Sequence, residues 1–218
     1  MLIIGDVHGK FGALKETLKR HKHEKFILQL GDCGIGFVHD YTYKNHKTGE
    51  YITHKGIPDP EDFGDNFHFL RGNHDSPVVC RNHKNYLGDY GIITKYVPNN
   101  QKLFYIGGAF SIDSDRRTEG IDWWADEELS YNELNSAMEL YEKERPDIVI
   151  SHDAPKFICE EMHRGQKMYR NRTSSALQYM YELWQPSLWI FGHHHMNWEL
   201  QFKETKFICL NELAMYNL

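Results

Sequence analysis

The chain has 218 residues, with 31 acidic against 25 basic side chains and a formal net charge of −6. That mild acidity disfavours a passive, charge-driven nucleic-acid binder, and apolar runs such as Leu188 to Phe191 fall far short of the ~20 residues a membrane span needs. Fourteen histidines stand out, because imidazole is the commonest metal ligand and titrates near neutral pH.

Leu2 to Ile4 reads as a short buried strand ending at Gly5. Lys10 to Arg20 carries Phe11, Leu14 and Leu18 at the spacing of one helical stripe, and Phe26 to Leu30 is a second strand closed by Gly31. Strand, helix, strand is a parallel crossover unit, and such sheets bind ligands at the carboxyl ends of their strands. From about residue 35 to 65 the periodicity fails, which predicts an inserted surface loop or β-hairpin. Asn66 to Leu70 resumes as a strand. Gly91 to Val97, Leu103 to Ile106 and Ala109 to Ile112 are further strand candidates, with Asn99-Asn100 turning between the first two.

Tyr131 to Lys143 predicts a helix with Ser130 as its cap, Glu133 three residues on, and Leu134, Met138 and Tyr141 along one side. Pro146 stops it. Ile148 to Ile150 is a strand, Thr173 to Leu183 a helix, and Leu188 to Phe191 a strand. Trp198 to Phe202 and Phe207 to Leu210 close as a hairpin-like pair. No repeat or linker divides the chain, so one domain over residues 1–218 is expected. Cys33, Cys80, Cys159 and Cys209 form no Cys-x-x-Cys pair, which argues against a thiolate zinc site or a disulfide framework. With no basic stretch before the first strand, a cytoplasmic protein without a secretory signal is expected.

Five times an apolar strand ends and groups able to ligate metal follow at once. The blocks are Gly5-Asp6-Val7-His8-Gly9, Gly31-Asp32, Gly72-Asn73-His74-Asp75, Ser151-His152-Asp153 and Gly192-His193-His194-His195. Singly, these are ordinary turn and capping residues. As an ordered set they are specific.

In order and type the blocks resemble the calcineurin-like metallophosphoesterase superfamily, over residues 5 to 195. The resemblance implies an α/β fold in which a two-sheet β-sandwich is flanked by helices (αββα), with two divalent metal ions at one edge. It also implies a hydrolase of phosphate esters, since two ions can clamp the attacking and leaving oxygens of phosphoryl transfer. Carried over residue by residue, Asp32 bridges the ions, Asp6, His8 and His195 complete one site, and Asn73, His152 and His193 the other. An oxygen and nitrogen set without thiolate suits manganese first, with iron, nickel or zinc as alternatives. His74 is the implied catalytic group, facing substrate to protonate the leaving oxygen or to stabilise phosphoryl charge.

One block departs from the pattern. Many members carry an Asp three residues after the second-block Asp to orient the catalytic histidine, and here that position is Ile35. Asp75, Asp113, Asp115 or the backbone is left for that task. Arg71, Arg116, Arg117 and His194 are the candidates for touching substrate, an arginine supplying a planar fork for phosphoryl oxygens. Asp75 and Asp153 read equally as supports of a ligand histidine or as turn polarity. Trp123 and Trp124 read as core or rim packing before a nucleobase wall. Arg164, Arg170 and Arg172 beside Tyr169 read as a solvated helix approach before a nucleic-acid grip. The remaining histidines, His21, His23, His39, His46, His54, His68, His83 and His163, read as solvated.

The leading functional expectation is a phosphomonoesterase acting on a phosphorylated small molecule or phosphoprotein. A phosphodiesterase or nuclease acting on nucleotides or nucleic acid is the alternative, and a non-catalytic scaffold a third. No membrane partner is expected, and the oligomeric state is left open.

Overall fold

The computed structural model describes residues 1–37, 40–44, 48–55, 60, 62–164 and 171–218, with 40–44 and 52–55 described as backbone. The readings made for His39, His46, the side chain of His54, Tyr169, Arg170 and part of the 35–65 segment lie outside the described residues. The elements run β1 (Leu2–Ile4), α1 (Phe11–Arg20), β2 (Ile27–Gln29), β3 (Asp40–Lys44), β4 (Tyr51–Lys55), β5 (Phe67–Phe69), α2 (Pro77–Arg81), β6 (Tyr90–Ile93), β7 (Leu103–Ile106), α3 (Tyr131–Glu144), β8 (Ile148–Ser151), α4 (Lys156–Met162), α5 (Arg172–Leu183), β9 (Leu188–Phe191), β10 (Trp198–Phe202), β11 (Thr205–Cys209) and β12 (Met215–Asn217).

Two sheets form the centre. One has the order β12-β1-β2-β5 and the other β10-β11-β9-β8-β7-β6, while β3 and β4 pair antiparallel by themselves. β1, β2 and β5 are parallel, with Ile3 opposite Leu28 and Leu28 opposite His68. β7, β8, β9 and β11 are likewise parallel. Parallel strands covered on both faces need apolar residues at nearly every position, which explains the runs Leu-Ile-Ile and Ile-Val-Ile.

The pleat sorts those residues into layers. Ile3 and Leu28 meet Leu103, Ile148, Ile150, Ile190 and Ile208 between the two sheets. Leu2, Ile4, Ile27, Phe67 and Phe69 face the other way onto Phe11 and Leu14 of α1 and Cys80 of α2. On the outer face of the larger sheet, Phe104, Val149, Trp189 and Phe207 pack against Leu134 and Tyr141 of α3, Ile158 of α4 and Leu177 of α5. This is the α/β two-sheet sandwich flanked by helices that the motif resemblance implied. Among the described residues, no helix is long and apolar enough to cross a membrane.

Local chemistry explains most boundaries. Ser130 and Glu133 form a reciprocal capping box at the start of α3, a feature worth ~1 kcal/mol. On α1 Thr17 is buried whereas Leu18 is only half-buried. The structure departs from the strand expected at Ala109 to Ile112, which is irregular. Gly108 there has φ +83° and donates to the Arg71 carbonyl, and the Ser111 N–H donates to the Glu127 carboxylate, so no neighbouring strand is paired. The strand expected to reach Val97 stops at Ile93.

Candidate metal centre

All five blocks emerge from the carboxyl ends of β1, β2, β5, β8 and β9 and converge on one edge of the sandwich. The four-stranded sheet supplies Asp6, His8, Asp32 and Asn73, and the six-stranded sheet supplies His152, His193 and His195. Holding so many polar groups together requires unusual backbone. His8 (φ 47°), Asp32 (φ 55°), His193 (φ 65°) and His195 (φ 51°) all lie in the left-handed region, which costs a residue with a Cβ of order 1–2 kcal/mol. Cross-links offset that strain. The Val7 and His8 N–H groups donate to the Asp32 carbonyl at 2.9 and 2.8 Å, and the His193 N–H donates to Asp6 Oδ2 at 3.1 Å. The buried Gln29 amide donates to Gly5 O and accepts from Gly31 N, both at 3.2 Å, tying together the turns that carry Asp6 and Asp32. Glycine is required at positions 72 and 192 because a Cβ would strike Asp32 Oδ1 at the first and Asp6 Oδ1 at the second.

Two donor sets result, one of Asp6, His8, Asp32 and His195 and one of Asp32, His152 and His193, each with its ligand atoms within 4.8 Å of one another. Asp32 is common to both. In the first set His8 Nε2 lies 2.9 Å from His195 Nε2, with Asp6 Oδ2 3.4 Å from the latter and Asp32 Oδ2 3.7 Å from the former. In the second, His152 Nδ1 contacts the Leu30 carbonyl at 3.1 Å, so Nδ1 carries the proton. Its Nε2 then faces Asp32 Oδ1 and Asn73 Oδ1, each at 3.3 Å. The Asn73 carbonyl is aimed by its own amide, which donates to Ser111 Oγ at 3.0 Å, and Ser111 Oγ in turn donates to Glu127 Oε2 at 2.5 Å.

Carboxylates and imidazoles therefore converge on one edge of the sandwich. Asp32 Oδ2 is buried and has no hydrogen-bond partner among the described residues. The titration behaviour shows the same demand for positive charge. Burial alone would lower His152, yet the Asp32 carboxylate outweighs it and raises this imidazole to about 9. Burial would raise Asp6, but His195 and His8 bring it to about 2. His193, driven down to about 4 by burial, stays neutral and keeps a lone pair to offer. Oxygen and imidazole donors around a carboxylate common to both sets fit two divalent cations.

His74 stands beside this centre. Its N–H donates to Asp32 Oδ1 at 2.7 Å, and its ring lies 5.1 Å from that of His8 and 5.1 Å from that of Phe37, which packs on the buried Trp124. Asp75 does not orient it. That carboxylate accepts from the N–H groups of Cys33, Gly34, Ile35 and Gly72 at 2.6–3.1 Å, and burial together with Asp32 raises it to about 6. Instead Arg117 contacts both ring nitrogens of His74 at 3.2 Å, and Asp113 grips Arg117 at 2.8 and 2.9 Å. His74 is lowered by burial first, with Asp32 opposing and Arg117 adding to the drop.

The other residues named as substrate contacts are placed differently. Arg71 is fully buried, its Nε 2.5 Å from Asp89 and its Nη1 donating to the carbonyls of Asp126 and Glu127, so it braces the 107–128 loop. Arg116 is exposed. The side chain of His194 is 6% exposed and turns inward to Asp153, 3.2 Å away. Arg172 packs over Tyr131 and beside Glu128 rather than forming an open basic patch. Among the histidines read as solvated, His68 stacks on Phe26 and His163 contacts His194. Gln29, Ser111 and Glu127 went unread because isolated polar residues in apolar or irregular stretches carry no spacing signal.

The calcineurin-like phosphoesterase family matches residues 1–197 of the chain. Among solved structures, a Thermus thermophilus protein superposes with a TM-score of 0.50 at 12% identity, covering 98% of this chain and 90% of that one. A putative 5'-nucleotidase from Staphylococcus aureus superposes with a TM-score of 0.52 at 13% identity, covering 98% of this chain and 48% of that one. At such identities the likeness concerns the fold. No curated protein matches the sequence significantly. With a family match over nearly the whole length and donor sets that share one aspartate, the chain belongs to the calcineurin-like phosphoesterases, metal-dependent hydrolases of phosphate esters.

Proposed function

We propose that the protein is a phosphomonoesterase acting on a small phosphorylated molecule or a phosphoprotein, with manganese as the working metal. Asp32 would be shared by the two ions, with Asp6, His8 and His195 holding one and Asn73, His152 and His193 the other. Ions bound there supply Lewis acidity, neutralising phosphoryl charge and lowering the pKa of the attacking water. The chain's own groups do the rest. Asp32 accepts the His74 backbone N–H on Oδ1 and keeps Oδ2 without a hydrogen-bond partner among the described residues. A ring nitrogen of His74 passes a proton to the leaving oxygen. Arg117, held flat by Asp113, offers its remaining donor capacity to the phosphoryl oxygens. Phe37 and Trp124 keep water from that side of His74.

The observation that carries the monoester reading is the Arg117 guanidinium beside His74. A monoester presents a dianion and gains more from a fixed cation than a monoanionic diester does. Parallel rates on p-nitrophenyl phosphate and its bis-ester with Mn²⁺ test this, and faster turnover of the monoester is expected. A clear preference for the bis-ester makes the protein a diesterase. A cytoplasmic setting belongs to this reading, supported by cysteine spacing that suggests no disulfide framework.

A further inference from the structure

A second convergence of ligating groups lies behind the dinuclear centre, on the side of the outer helices. Asp153 follows β8, Cys159 sits in α4 and His194 follows β9, and all three side chains are buried. His194 Nε2 is 3.2 Å from Asp153 Oδ1, Cys159 Sγ is 3.6 Å from the same oxygen, and Cys159 Sγ is 3.7 Å from His194 Nε2. Tetrahedral zinc, with bonds of ~2.3 Å to sulfur and ~2.1 Å to nitrogen or oxygen, sets ligand–ligand edges of ~3.6 Å when sulfur is included and ~3.4 Å otherwise. The triangle has the dimensions of one face of that tetrahedron.

A separate observation concerns the fourth vertex. Asp153, Cys159 and His194 border a cavity of about 20 Å³ together with Asn171 and Ser174. That volume admits one water. Ser174 is 2% exposed, and its hydroxyl oxygen has no hydrogen-bond partner among the described residues. His163 Nε2 also lies 3.3 Å from His194 Nδ1 and can accept a proton from it when an ion takes Nε2, the usual support of a metal-bound imidazole.

We propose that Asp153, Cys159 and His194 form a third metal site that takes Zn²⁺, with a water as fourth ligand in the cavity against Ser174. The thiolate separates it from the dinuclear centre, whose donors are oxygen and nitrogen, and favours zinc over manganese. The Cys159 proton leaves to solvent as the ion enters. An ion here clamps the turn carrying His193 and His195 to β8 and α4. Cys-x-x-Cys spacing cannot reveal a site of this kind, because its ligands come from three separate elements.

The test uses the whole protein, stripped with chelator and reloaded with Co²⁺. Thiolate ligation gives cobalt a near-ultraviolet charge-transfer band that oxygen and imidazole ligands do not. The wild type is expected to show that band and to lose it on adding Zn²⁺. Cys159→Ser is expected to lack the band and to bind one ion fewer per chain, whereas Cys80→Ser keeps both properties. A wild type without the band overturns the proposal whatever the variants do, and so does a band that persists in Cys159→Ser. That outcome would leave a hydrogen-bonded thiol–carboxylate–imidazole triad. Because the dinuclear centre contributes no thiolate, failure there would lower total metal without removing the band.

Discussion

Arg117 lies along the imidazole of His74, Nη1 3.2 Å from Nδ1 and Nη2 3.2 Å from Nε2. Contact with both ring nitrogens is a face laid against a ring, so the arginine fixes the plane of His74 and repels an added proton. Asp113 holds the guanidinium from the far side with two bonds. Where Ile35 offers no carboxylate, Asp113 reaches His74 through an arginine.

Arg117→Met should therefore lower kcat/KM by ~10–100-fold, a few kcal/mol of lost orientation and charge. Since Arg117 pushes the His74 pKa down, its loss should move the limb of the pH–rate profile that reports His74 to higher pH. Arg117→Lys should rescue little, because one ammonium cannot engage two carboxylate oxygens and the ring together. An unmoved profile would mean that His74 is not the titrating group.

His74→Ala should keep both ions and lose turnover by ~10²–10⁴-fold, the usual worth of general acid–base help. Asp32→Asn or His152→Ala should lose metal and activity together. Elemental analysis beside initial rates separates the two behaviours, and a His74→Ala protein without metal would make His74 a ligand.

Ser111→Ala and Glu127→Gln should weaken metal binding by ~10–100-fold, measured by competition with a chelating dye. Each breaks the chain that aims the Asn73 carbonyl without removing an oxygen or nitrogen from the centre. Unchanged affinity in both would show that Asn73 needs no support.

Asp89→Asn should destabilise the fold by ~3 kcal/mol in denaturant melts, because it leaves the fully buried Arg71 charge without its partner. Burial pushes the Asp89 carboxyl up, but Arg71 outweighs it and holds it below the ordinary 3.8. The unfolded state therefore binds the proton more readily. The pair's stabilisation is full above that ordinary value and is lost as pH falls through the lower folded one. Wild type and variant should converge in stability under strongly acidic conditions.

The blocks that carry the candidate ligands were legible because each is local: a strand ends, a glycine turns, and the candidate ligand follows within a residue or two. The layers were legible because Leu2-Ile3-Ile4 and Ile148-Val149-Ile150 leave no polar face. What escaped depends on distant partners. Ala109 to Ile112 has the apolarity of a strand, but the Gly108 N–H just before it goes to the Arg71 carbonyl and its own Ser111 N–H to the Glu127 carboxylate. Helix α4 and strand β12 are too short to show a period. His194 reads as a substrate contact from its place between two ligand histidines, yet the left-handed turn on either side sends its ring inward to Asp153. Nothing in the spacing of Arg117 and His74, 43 residues apart, announces that they touch.

The candidate ligands come in two groups, one from each sheet, and the sheets are joined chiefly by the apolar layer of Ile3, Leu28, Ile150, Ile190 and Ile208. The gap between these two groups of ligands is thus gauged by the thickness of a hydrocarbon slab. A methyl group added to or taken from that slab shifts one sheet's ligands against the other's, and both donor sets, which draw on both sheets, change with it. Residues that never see solvent or substrate therefore tune the reaction's geometry, and selection for turnover reaches into the middle of the sandwich.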